Sequence, residues 1–249
     1  MQYQNSLYWW NLAVATVHTT SFVALLFISI FNYDKSRSVN IWTDFGGDGT
    51  VDRGSYKLLL TLLPFPLITG FFHFVAASDF ANYYGETLIK GVARMRWIEY
   101  MITNSLMSWS LVLLAGGGNI VLPILAVLFN VLMQAFGWYH EIHNHQSSGK
   151  GKAPVNKTWE YMVFGFVPWV ANWFVVFFYF FERAGDARVA DWLAIVGSFV
   201  LSFTFVLPLF WRYGKEATQE NNYYTERAYL LLSLTAKLWL DWVVTIDTL

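Results

Sequence analysis

Lys237 stands in the apolar run Ala228–Ile246, with Ser233 one turn before it and Asp241 one turn after. A lysine near the middle of a membrane-length helix costs several kcal/mol, up to ~3.5 on insertion scales. Snorkelling relieves that cost only near helix ends. Such a lysine therefore needs a charge partner or a covalent reason, and one covalent reason is a Schiff base with an aldehyde ligand. Few other ionisable groups fall deep in apolar segments: His18, His73, Glu99 and Asp241. Charges in a bilayer are expected to pair and to face the bundle interior. Glu99 is the natural partner for Lys237, since both lie midway along their segments, and a carboxylate stabilises a protonated nitrogen beside it. Arg96, three residues before Glu99, can compete for it on the helix surface. A purely structural Lys–Glu pair and a transporter's proton relay both remain open on these residues alone.

Several polar residues fall near this pair. Ser233 shares a helix face with Lys237, and Thr103 lies one turn after Glu99. Asn130 is the one amide deep in its segment. These can hydrogen-bond the pair or ordered water. His18 and His73, at comparable depth, suggest a shared polar cavity. Trp169 follows Pro168 and Phe205 precedes Pro208, so both sit at kinks that could open a slot for a flat polyene. Most other aromatic residues are expected to face lipid or the interfacial belts. Asp241 is read as an interfacial aspartate. His140, Glu141, His143 and His145 are read as a solvated loop with titratable histidines, although His140-x-x-His143 with Glu141 resembles metal-ligand spacing. No metal site is predicted.

Composition requires the elements that would carry these residues to lie in a membrane. The chain of 249 residues is 56% hydrophobic and 20% aromatic, with only 13% charged. Soluble domains carry about 25% charged residues. A mean hydropathy of +0.39 agrees. With no cysteine there are no disulfides, thiolate metal sites or cysteine nucleophiles. No Ser-His-Asp or metal-binding spacing occurs in the apolar segments, so no enzymatic activity is expected. A net charge of −1 gives no reason to expect a nucleic-acid partner. The N-terminus has neither a basic stretch nor a small-residue cleavage site, and its first apolar run is read as a retained helix.

A crossing needs ~20 apolar residues. Seven stretches qualify: Leu7–Phe31, Lys57–Ala81, Thr87–Ala115, Asn119–His140, Thr158–Phe181, Val189–Trp211 and Asn221–Ile246. The predicted fold is an all-α membrane protein, a seven-transmembrane helix bundle forming a single domain over residues 1–249. The first connection, Asn32 to Tyr56, is long and polar, with Gly46-Gly-Asp-Gly49 as a turn signal. Gly116-Gly-Gly118 and Ala184-Gly-Asp186 mark tight hairpins. Lys90, Arg94, Arg96, Lys150, Lys152, Lys157, Arg212, Lys215 and Arg227 fall on the N-terminal face. Lys35, Arg37, Arg53, Lys57, Arg183 and Arg188 fall on the other. Nine against six favours a cytoplasmic N-terminus and an extracellular C-terminus.

The segments Leu231-Leu-Ser-Leu-Thr-Ala-Lys237 and Arg96-Trp-Ile-Glu-Tyr100, set in seven spans, resemble those of heliorhodopsins, a branch of the microbial-type retinal proteins. The resemblance covers essentially the whole chain. It implies a rhodopsin-like bundle in the cell membrane, a cytoplasmic N-terminus, and all-trans retinal bound to Lys237 as a protonated Schiff base. It further implies Glu99 as the single counterion, Ser233 beside the Schiff base, and His18 and His73 in a hydrated cavity. Asn130 and Trp169 match pocket positions more loosely. A slow photocycle, a sensory or regulatory role with an unidentified signalling partner, and a homodimer involving the first loop are implied as well. Some viral members conduct protons, and Asp241 keeps light-driven proton transport or a proton channel open here. A retinal-free transporter or scaffold is the further alternative.

Overall fold

The structure, a computed structural model, describes residues 2–44, 50–78, 81–145, 158–213, 215 and 218–248. The Gly46–Gly49 turn signal and the charges at Lys150, Lys152 and Lys157 lie outside the described residues. The helices are α1 (Gln2–Phe31), α2 (Leu58–Leu62), α3 (Pro64–Ala76), α4 (Ala81–Ile89), α5 (Arg94–Leu114), α6 (Val121–His145), α7 (Glu160–Glu182), α8 (Val189–Thr204), α9 (Leu207–Tyr213) and α10 (Gln219–Thr248). Among the described residues, six helical segments are long and apolar enough to cross a membrane: Asn5–Phe31, Leu58–Ala76, Val121–Asn144, Glu160–Glu182, Val189–Tyr213 and Gln219–Ile246. α5 is not among them. Its 21 residues have the length, but its first turns carry Arg94, Arg96 and Glu99.

Helix ends follow local chemistry. The expected span Thr87–Ala115 divides into α4 and α5, because the chain turns at Gly91, whose φ of +85° suits a residue without a side chain. The amides of Gly91 and Val92 there bond back to the carbonyls of Leu88 and Thr87. Gly116 (φ +98°) ends α5 in the same manner, as its glycine run predicts. The expected span Val189–Trp211 breaks at Phe205 and Val206, just ahead of Pro208, which cannot supply an amide to a continuous helix. Pro168 instead stays within α7.

The first connection is not wholly irregular. Strand β1 (Ser38–Thr43) pairs antiparallel with β2 (Val51–Lys57), with a bulge at Ile41/Trp42. An all-α reading omitted this sheet because only Ile41 and Thr43 face inward, too short a pattern to stand out. The hairpin docks on the α5–α6 connection: the Trp42 amide donates to the Gly118 carbonyl at 3.0 Å, and the Ile120 amide to the Trp42 carbonyl at 2.9 Å. Arg37 reaches Asp191 at the start of α8 at 2.6 Å.

α1 packs against α3 and α10, α3 against α5, α5 against α6, α6 against α7, and α8 against α10. Rings bridge α7 and α8, with Trp169 and Phe199 at 5.3 Å and Phe180 and Trp192 at 4.6 Å. The outer faces are apolar, as at Phe31, Phe71, Val167, Phe174 and Val189. The interior instead holds Asn11, His18, Glu99, Lys237 and Asp241. Lipid tails solvate apolar side chains and leave polar groups to find one another inside.

Candidate functional site

Lys237 on α10 is 1% exposed, and its ammonium contacts the Glu99 carboxylate on α5. The same oxygen, Oε1, accepts hydrogen bonds from Thr103 at 2.8 Å and from Thr69 of α3 at 2.9 Å. Three donors thus converge on one carboxylate oxygen, and charge-assisted bonds of this kind are the strong ones. The Tyr100 ring lies under the Lys237 nitrogen, 5.3 Å from its centroid.

Arg96 does not take Glu99. Its guanidinium contacts Glu141 of α6 and Glu226 of α10, and lies 3.9 Å over the Tyr229 ring. Glu141 also accepts from Arg212 at 3.0 Å, from the Trp97 indole at 2.7 Å and from the Ala93 amide at 3.0 Å. Glu226 accepts from the Tyr84 phenol at 2.8 Å. Burial, with the Glu226 carboxylate beside it, holds the Tyr84 phenol well above its ordinary range. Arg212 continues the cluster to Gly91 and Asn222, each at 2.7 Å. One buried ionic cluster therefore joins α4, α5, α6, α9 and α10.

This corrects the reading of His140 and Glu141 as a solvated loop. α6 runs on through both, and each is 0% exposed. His140 sits by Asn144 at 3.1 Å, whereas His143 is exposed. The side chain of His145 lies outside the described residues. Among the described residues, no three His, Cys, Asp or Glu side chains are placed to hold a metal ion. Asp241 is also corrected: it is 0% exposed, not interfacial, because α10 continues as helix to Thr248.

His18 and His73 stack with centroids 6.4 Å apart and planes 9° apart. His73 Nδ1 pairs with Asn11 Oδ1 at 2.8 Å. Both nitrogens of His18 and Nε2 of His73 are buried with no hydrogen-bond partner among the described residues. A small cavity of about 20 Å³ lies between His73, Asn11, Glu99, Arg96 and Glu226. That is room for one water, placed between the Lys237–Glu99 pair and the ionic cluster.

On its other side, Lys237 lines a larger cavity of about 160 Å³. Asn130, Trp169 and Phe205 line it too, with Trp97, Tyr100 and Trp173. Asn130 donates to Ser108, and the Trp169 indole to Ser202 at 3.2 Å. Glu99, Thr103, Ser233, His18 and His73 are not in this wall. Ser233 is buried near Tyr100, its hydroxyl without a bond of standard length. Sequence reasoning missed Thr69, Asn11, Tyr100 and the ionic cluster. Only the Arg96/Glu99 spacing hinted at the last, and it pointed to the wrong carboxylate.

A family model for heliorhodopsins matches residues 7–249. The chain belongs to the heliorhodopsin family. No curated protein matches it. Heliorhodopsins are light-sensing, retinal-binding membrane proteins, and the several apolar helices make this a multi-pass member. The residues present fit a retinal: a buried primary amine opens on a cavity walled mainly by aromatic and apolar side chains. Lys237 would hold the aldehyde end, and Trp97, Trp169, Trp173 and Phe205 would flank the chain.

Proposed function

We propose that this protein is a sensory photoreceptor that holds all-trans retinal on Lys237 as a protonated Schiff base, with Glu99 as counterion. The observation that carries this reading is the buried Lys237 amine, in contact with Glu99 and opening on the aromatic cavity. Bound there, retinal supplies light absorption and the change of shape that follows it. The chain's own residues do the rest. Glu99 balances the positive nitrogen, and Thr69 and Thr103 fix the carboxylate's direction. His73, Asn11 and the one-water cavity offer a local place for a displaced proton. Lys237 is 1% exposed with the Tyr100 ring beside its nitrogen, so the bundle keeps bulk water from it.

In this reading α5 is a seventh crossing, its charged first turns satisfied inside the bundle. The protein sits in the cell membrane with a cytoplasmic N-terminus. Arg96 and Arg212 are buried in the ionic cluster and drop out of the charge count, leaving seven against six, so the orientation leans on the family. A homodimer, a slow photocycle and a signalling partner complete the proposal. Purification with all-trans retinal tests it. The expected result is a visible absorption band that bleaches with hydroxylamine and is absent in Lys237→Ala. A retinal-free scaffold would show no band in either protein.

The burial of Asp241 favours a second reading, light-driven proton movement. Photocurrents in voltage-clamped cells separate the two. A sustained current lost in Asp241→Asn establishes transport, and its absence leaves the sensory reading.

A further inference from the structure

Asp241 is a carboxylate to which the sensory reading above gives no role. It lies one turn beyond Lys237 on α10, so the two side chains leave the same face. It is wholly buried, and neither carboxylate oxygen has a partner at hydrogen-bonding distance among the described residues. The Ser21 hydroxyl of α1 faces it, itself buried and without a bond of standard length.

Among the described residues, the surroundings offer no counter-charge of their own. From α1 come Ser21 and, one turn earlier, His18, which is stacked on His73. α2, Leu58–Leu62, has no titratable residue. The only one in α8 is Asp191, which is ion-paired with Arg37. On α10 itself, Lys237 stands one turn away, and it is already neutralised by contact with Glu99. The ionic cluster of Arg96 and Arg212 gathers around Glu141 and meets α10 at Asn222 and Glu226, toward the opposite end of that helix. A bare ionised carboxylate in such a place costs several kcal/mol even after relaxation. Buried groups in that position neutralise instead. A neutral carboxyl group needs only one acceptor for its O–H, and the facing Ser21 hydroxyl oxygen is an acceptor of that kind.

We propose that Asp241 is a proton-binding site, a neutral carboxylic acid at rest whose proton responds to the charge on the Lys237 nitrogen. The proposal rests on the reading of Lys237 as the retinal-bearing residue. The binding step is simple protonation: a proton from water adds to a carboxylate oxygen, and nothing is oxidised or reduced. When the Lys237 nitrogen gives up its proton, Asp241 loses the one cation that favours its ionisation, and its O–H tightens. When the nitrogen is recharged, the O–H loosens. The site therefore has a proton-holding group on each side along α10, Glu99 with its one-water cavity and Asp241 with Ser21.

Light-minus-dark infrared difference spectroscopy on the retinal-loaded protein tests this. The expected result is a feature in the protonated-carboxyl C=O region that shifts in D₂O. It is lost in Asp241→Asn and displaced in Asp241→Glu. Carbon-13 labelling of aspartate in the unsubstituted protein shifts the same feature, which tests the assignment without a variant that must fold. A normal visible band with no aspartate-derived feature overturns this proposal alone. An absent visible band overturns the reading of Lys237 and this proposal with it.

Discussion

At the scale of single residues, the site is a carboxylate with three donors on one oxygen, and its charge is what the Lys237 nitrogen feels. Glu99→Gln keeps the shape and removes the charge. Absorption should move to the red, and the visible band should titrate away at a lower pH than in the parent. An unchanged spectrum and titration would assign the counterion elsewhere. Thr103→Val removes one of two hydroxyl donors and should move the spectrum less than Glu99→Gln does. The Lys237–Glu99 pairing was legible in the sequence, because two charges at matching depth in apolar segments have few other partners. The allegiance of Arg96 was not. Its carboxylates lie 45 and 130 residues further along, and no spacing rule reaches that far. Asp241 was misplaced for a different reason: depth near a helix end depends on where the helix stops, and composition fixes that poorly.

At the scale of elements, the ionic cluster holds helix ends that hydrophobic packing alone would leave loose. Glu141 accepts from two guanidinium groups, an indole and a backbone amide. Breaking a buried pair from one side costs about 3–5 kcal/mol. Glu141→Gln should therefore lower the midpoint of thermal bleaching well below that of the parent, more than any surface Glu→Gln exchange. Gly137 of α6 tests the cavity wall. A methyl group there would meet the Trp97 ring at 2.5 Å, and Trp97 is held in place by its bond to Glu141. Overpacking of this kind costs about 1–3 kcal/mol, so Gly137→Ala should reduce pigment yield and shift the absorption maximum. Helix existence was readable from apolar runs. The continuation of α6 through Glu141 was not, since it depends on partners supplied by distant helices, and the break at Gly91 rests on a lone glycine inside an otherwise continuous run.

At the scale of the whole molecule, apolar residues cover the outside as well as filling the core, and the buried charges pair inside, which suits a bilayer as solvent. The apolar exterior was the most legible property of the sequence, because it follows from composition. The fate of the proton belongs to the whole molecule, and the photocurrent comparison with Asp241→Asn measures it. The ionic cluster also has a consequence for time. Arg96 grips α6 and α10 at once, so a rearrangement that moves α10 away from α6 must part it from Glu141 or Glu226. Each 1.36 kcal/mol is a factor of ten in rate. A parting that costs about 3–5 kcal/mol slows such a rearrangement roughly a hundred- to five-thousand-fold. If light drives α10 from α6, the return is then paced by a guanidinium at one end of the bundle rather than by the light-absorbing group.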